Sequence, residues 1–149
     1  MCGTHATVRR VLGELVSAAD GITVIDMEAG LEHLSRGTTR SADTMLVVAE
    51  PYFKSLETAR RAYALAAELD IPRVFIVANK ARGPQDKEAI RAFCERHGLR
   101  LLATVPYDEA VSDAELGGVA ILDVNARAPS VSEIERLADR VTASLALDA

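Results

Sequence analysis

The sequence predicts an α/β fold, a parallel sheet with helices on both faces. Two observations carry this. The apolar runs "TMLVVAE", "RVFIVAN" and "LRLLATVP" are continuous and do not alternate with polar residues, the pattern of strands covered on both sides. Segments of helical periodicity, ten or more residues long, separate these runs. Strand–helix alternation of this kind builds a parallel sheet.

Each element follows from its own pattern. Val8, Val11, Leu12, Leu15 and Ala19 recur at helical spacing and predict an amphipathic helix over residues 5–19. "GITVID" then reads as a short strand and Thr44–Glu50 as a second. Leu56, Ala59, Tyr63 and Ala67 predict a helix that ends near Asp70, ahead of Pro72. Arg73–Asn79 is the third strand. Pro84 opens the next helix, whose apolar face is Ile90, Phe93, Cys94 and His97, and Gly98 closes it. Leu99–Pro106 is the fourth strand. Ser130 with Glu133 has capping-box spacing and starts the last helix, whose stripe is Ile134, Leu137, Ala138, Val141 and Leu145. No repeat, low-complexity tract or linker interrupts the chain, so residues 1–149 read as a single domain.

Composition narrows the function. The 149 residues are 49% hydrophobic and 26% charged, which is ordinary for a globular protein long enough to bury a core. A net charge of −5 disfavours nucleic acid and anionic membranes as partners. No apolar run approaches the ~20 residues of a membrane helix, and no signal-peptide core is visible, so the expected location is the cytoplasm. Cys2 and Cys94 are too few for a disulfide framework.

Ligands of open parallel sheets bind beyond the carboxyl ends of the strands. Four such ends read Asp26-Met27-Glu28, Glu50-Pro51, Asn79-Lys80 and Pro106-Tyr107-Asp108, which would gather carboxylates, an amide and an ammonium on one edge. Asp26 after "TVI" has the form of a Walker B strand, where a buried strand aims a carboxylate at Mg²⁺. "ANK" suits a purine edge, because the Asn79 amide both donates and accepts. The guanine-reading form of that motif needs an acid two positions after the lysine, and Arg82 stands there instead.

In order, "IDMEAGLEHLSRGT", "LVVAEPYFKSLETA", "VANK" and "VPYDEAVSDAELGG" resemble the deviant-Walker-A ATPases of the MinD/ParA type. Within that group the chain is most similar to the ATPases that mature carbon monoxide dehydrogenase by aiding nickel insertion. "EAGLEH" followed by "RGT" is particular to that branch; other members usually carry Pro where Glu28 stands. The resemblance runs from about Cys2 to Leu145. It implies a P-loop NTPase-like fold, ATP or ADP with Mg²⁺, a homodimer, and a client metalloenzyme resembling carbon monoxide dehydrogenase. By the same resemblance Asp26 and Glu28 are catalytic, Ala29 and Gly30 belong to the switch that senses the γ-phosphate, and Asn79, Lys80, Pro106, Tyr107 and Asp108 hold the nucleotide base. Cys2, before "GTHATVRR", resembles the second cysteine of a Cys-X-Cys pair through which two subunits share a metal, zinc or nickel.

The departure from the pattern is large. The sequence contains no Gly-rich loop with two lysines and no first strand to carry one. Met1 stands where the middle residue of Cys-X-Cys would fall, so the expectation is the C-terminal portion of the fold, cut at an internal methionine by truncation or start assignment. In the family the phosphate-loop strand lies between the Walker B strand and the counterpart of Thr44–Glu50. The expected sheet therefore runs Thr44–Glu50, Arg73–Asn79, Leu99–Pro106, with Ile22–Asp26 separated from it or bridged by another chain.

Simpler readings stand beside these. Cys94, on an apolar helix face, reads as a buried structural thiol, and His97 as a helix-end residue favoured by the macrodipole. Cys2 with His5 cannot fill a four-coordinate shell alone. His33 reads as a partner-contacting or surface residue. Apart from Asp108, the acidic residues Glu109, Asp113 and Glu115 read as a solvated face. Three functions stay open: a fragment of the ATPase, a stand-alone non-hydrolysing regulatory or binding module of the same fold, and an unrelated flavodoxin-like binding domain.

Overall fold

A computed structural model describes residues 21–27 and 42–146. Its centre is a three-stranded parallel sheet in the order β1 (Thr44–Ala49), β2 (Arg73–Ala81), β3 (Leu101–Pro106). β1 and β2 pair in unbroken register from Thr44 opposite Arg73 to Ala49 opposite Ala78. The pairing of β2 with β3 is irregular, with shifts at Ile76/Val77 and between Ala78 and Ala81.

Two helices cover one face. α1 (Phe53–Glu68) buries Leu56, Ala59, Ala62 and Ala66, and α2 (Pro84–Arg96) buries Ile90 and Cys94. They close over Val47, Ala49, Val74, Ile76 and Ala78 of the sheet, forming the main core. α2 begins with Pro84 at its first turn. It ends in a Schellman arrangement, with Gly98 at φ +64°, Gly98 N–H donating to the Glu95 carbonyl and Leu99 N–H to that of Cys94. The sequence pattern placed both ends of this helix correctly.

The other face is covered unevenly. α5 (Pro129–Ala146) lays Leu137 on Val77, Ala103 and Val105. Between β3 and α5 come two short helices, α3 (Glu109–Leu116) and α4 (Ile121–Asn125), neither of which the sequence pattern predicted. α3 buries only Ala114 and α4 buries nothing, so no apolar stripe marks them. On β1 the second face stays bare: Leu46 is 38% and Val48 61% exposed. Among the described residues, β1 is therefore covered on one face only.

Two expectations are corrected. "GITVID" does not form a strand: residues 22–27 have no regular structure, and Ile22, Val24 and Ile25 are exposed, Val24 at 88%. The physical reason is that a lone strand has no ladder to join, so its backbone groups stay with water. The separation of Ile22–Asp26 from the sheet, and the order of the other three strands, are as expected. The capping box at Ser130 is also absent. Ser130 is the second residue of α5, its neighbour Pro129 opens the helix, and Glu133 pairs with Arg136 instead of reaching back. The helix expected over residues 5–19 lies outside the described residues.

Candidate functional site

Because the three strands are parallel, their carboxyl ends share one edge. That edge gathers Glu50 after β1, Asn79, Lys80 and Arg82 at the end of β2, and Pro106, Tyr107 and Asp108 at the end of β3.

The end of β2 is locally distorted. The register slips between Ala78 and Ala81, and Lys80 adopts φ +58°, a left-handed conformation that costs a non-glycine residue about 1 kcal/mol. Such bulges re-aim side chains at sheet edges and next to sites. Three contacts hold this one. The Asn79 Oδ1 accepts from Lys80 N–H at 2.9 Å. The Lys80 ammonium reaches Glu50 Oε1 at 3.0 Å, tying the ends of β1 and β2 together. Tyr107 N–H donates to the Ala81 carbonyl at 2.9 Å, tying β2 to β3. Immediately beyond, Arg82 N–H donates to Asp86 Oδ2 in the first turn of α2 at 2.8 Å, and the Arg82 guanidinium carbon lies 3.7 Å from the centre of the Tyr107 ring.

Asp108 joins two helices to this edge. Its Oδ1 accepts from Ala110 N–H at 3.1 Å, the N-cap bond of α3. Its Oδ2 accepts from Ser130 N–H at 3.1 Å and from the Ser130 hydroxyl at 2.9 Å, at the start of α5. The bonds from Ser130, backbone first, hold the Asp108 carboxyl below the usual carboxylate range, with Ala110 adding to them. Glu109, Asp113 and Glu115 are exposed, so the acidic cluster divides as the sequence suggests.

The structure therefore brings together Asn79, Lys80, Pro106, Tyr107 and Asp108. It does not bring Asp26 to them through the sheet: Asp26 sits exposed in the irregular stretch 22–27. Cys2, Glu28, Ala29 and Gly30, with His5 and His33, lie outside the described residues. Cys94 is a buried free thiol whose pKa desolvation raises, an inert core group. His97 caps α2 with its ring 4.5 Å from that of Phe93. Among the described residues no three His, Cys, Asp or Glu side chains stand together as a metal site, and no helix is long and apolar enough to cross a membrane. Sequence reasoning missed the pairing of Glu50 with Lys80, the seat of Arg82 on Tyr107 and the role of Ser130. Each is a contact between strand ends or helix starts distant in sequence, which no local pattern encodes.

No family model matches the chain. Among solved structures it is similar to the septum site-determining protein MinD of Pyrococcus horikoshii, complexed with Mg-ADP. The TM-score is 0.75 at 19% identity, over 97% of this chain and 59% of that one. MinD of Aquifex aeolicus gives 0.73 at 17%, over 93% and 61%. The fold is thus that of the MinD/ParA-type ATPases, a P-loop NTPase-like fold. Sequence relatives narrow this. The chain is 39% identical over 138 residues to an uncharacterized ATP-binding protein of Methanocaldococcus jannaschii, covering 92% of this chain and 52% of that protein. It is 34% identical over 125 residues to the carbon monoxide dehydrogenase accessory protein CooC of Rhodospirillum rubrum, covering 84% and 47%. The chain is thus related in sequence to ATP-binding proteins and to CooC, and shares its fold with the MinD/ParA-type ATPases. It spans about half the length of the curated relatives it matches.

Proposed function

We propose that this chain carries the base-binding half of an ATP site of the MinD/ParA type. In its full-length form the protein is then a dimeric ATPase of the cytoplasm that inserts a metal, nickel, into a client enzyme of the carbon monoxide dehydrogenase kind. The observation that supports this most is the shared strand edge: Asn79-Lys80 on a distorted strand end, hydrogen-bonded through Ala81 to the Pro106–Asp108 segment. In this reading the Asn79 amide meets the N6/N7 edge of adenine, which it can match with one donor and one acceptor. Lys80, anchored by Glu50, fixes the turn that presents Asn79. Pro106 to Asp108 close over the base, held in place by Asp108 on two helices.

Mg²⁺ bound with the nucleotide would neutralise charge on the phosphates. The described residues do not by themselves fit it: Asp26 offers one exposed carboxylate where octahedral coordination needs about six oxygens. Asp26 and Glu28 as catalytic groups, Ala29 and Gly30 as the switch, and Cys2 as one ligand of a zinc or nickel ion shared between subunits are roles for the full-length protein.

The phosphate loop's backbone N–H groups and lysines supply most of the charge stabilisation in phosphoryl transfer. The 149-residue chain is therefore expected to release no phosphate from ATP, and to bind nucleotide only weakly, at about millimolar Kd or ~4 kcal/mol. Titrating isotope-labelled chain with ADP and with GDP tests the site. Shifts centred on Asn79, Lys80 and Tyr107, larger with ADP, are expected. Equal or reversed shifts at Asn79, or phosphate release that Asp26→Ala abolishes, would overturn the reading.

A second reading is a stand-alone non-hydrolysing regulatory or binding module of the same fold. Sequence encoded in frame upstream decides between them: a Gly-rich loop with lysines there identifies the ATPase.

A further inference from the structure

The Arg82 side chain is placed with more care than a surface arginine needs. Its backbone is fixed by the bond to Asp86, and that of Tyr107 by the bond to Ala81. The guanidinium carbon lies over the Tyr107 ring, 3.7 Å from its centre, where the ring's negative face attracts the cation. Stacked guanidinium groups usually also spend their N–H donors on a carboxylate or carbonyl. This one does not: among the described residues the Arg82 side chain has no hydrogen bond or ion pair, and it is exposed. A flat cation is thus held by one face, with its donors unspent, three residues beyond Asn79 and against the segment that follows β3.

We infer that Arg82 is a nucleobase-stacking residue: Tyr107 holds its guanidinium so that the opposite face receives the purine whose edge Asn79 reads. This rests on the proposed nucleotide site and adds to it the group that binds the face of the base. Planar bases stack on arginine as they do on aromatic rings, and the in-plane N–H groups, which a base on the face does not use, stay with water. Tyr107 is a positioning residue in this arrangement, acting through Arg82.

Base stacking contributes about 5- to 150-fold in affinity, and an exposed platform belongs at the low end. Arg82→Ala should therefore weaken ADP binding about 5- to 10-fold, read from amide shifts at Asn79 and Tyr107 in the full 149-residue chain. Arg82→Lys should fail to restore it, because the charge returns without the plane. Tyr107→Leu should weaken ADP binding in the same direction, and Tyr107→Phe, which keeps the ring, should retain it. Inorganic pyrophosphate is the control for charge alone, and its binding should not change with Arg82→Ala. An Arg82→Ala chain that binds ADP as wild type does, or loses ADP and pyrophosphate equally, or is rescued by lysine, overturns the stacking role while leaving the nucleotide site standing. A wild-type chain whose Asn79 and Tyr107 amides respond to no nucleotide overturns the proposed site and this role with it. Arg82 is exposed and Tyr107 half-buried, and unchanged amide signals from β1 and α1 verify that each variant keeps the fold.

Discussion

A single carboxylate organises the end of β3. Asp108 caps α3 through one oxygen and receives both the backbone and the hydroxyl of Ser130 through the other, so the loop after β3 cannot move without breaking a helix start. This predicts a pH dependence with a definite sign. Those bonds favour the ionised form, so the carboxyl's pKa is lower in the folded chain than in the unfolded one. Its contribution to stability is complete above the unfolded value, about 3.9, and is lost as pH falls through the lower folded value. Asp108→Asn removes that titration, and its amide nitrogen cannot accept from Ser130. The variant should be less stable than wild type at neutral pH, and the two should converge in thermal melts below about pH 4. A difference that stays constant from pH 7 to pH 3 would rule this out. Asp108 stood out in the sequence through "VPYDEA", but its partner did not. Ser130, with Glu133 three positions on, has the look of a local cap, and only the folded chain shows it turned toward a residue 22 positions earlier.

At the scale of elements, what the sequence made legible tracks burial. α1, α2, α5 and the three strands each carry an apolar face or run, and each was visible. α3 and α4, with one buried residue between them, were not. "GITVID" was visible for the wrong reason: its composition suits a strand, but strand formation is a pairing event and composition cannot supply the neighbour. α2 offers the clearest energetic test, because it is bounded by local signals and anchored by one residue. Ile90 is fully buried in the core under α2, so Ile90→Ala should cost about 2–5 kcal/mol in urea unfolding. Gly98→Ala should cost about 1–2 kcal/mol, all of it from backbone strain at φ +64°, since a Cβ there meets nothing within 4 Å. A loss at Gly98 as large as that at Ile90 would mean that the turn, not the core, holds α2 in place.

For the whole molecule, the sheet is best protected at its centre and least at β1. β2 is paired on both sides and buried on both faces from Val74 to Ala78, whereas β1 shows Leu46 and Val48 to solvent on one face. Residues 22–27 belong to no ladder at all. Native-state hydrogen exchange should therefore be graded: slowest in Val74–Ala78, where opening requires global unfolding, and near the free-chain rate at Thr23, Val24 and Ile25. The matched relatives are about twice as long as this chain, and an additional strand laid between Ile25 and Leu46 would bond both. Joining the first half of the Rhodospirillum rubrum CooC protein to this chain should then slow exchange at Thr23–Ile25 and at Leu46–Val48 together, by at least 10-fold, about 1.4 kcal/mol at each site. Slow exchange at Thr23–Ile25 in the 149-residue chain by itself would show that these residues already pair directly with β1, and the arrangement described for this edge would be wrong. Slowing at only one of the two segments in the joined protein would place the added strand outside the gap and break the link between this chain and the base-binding half of the fold.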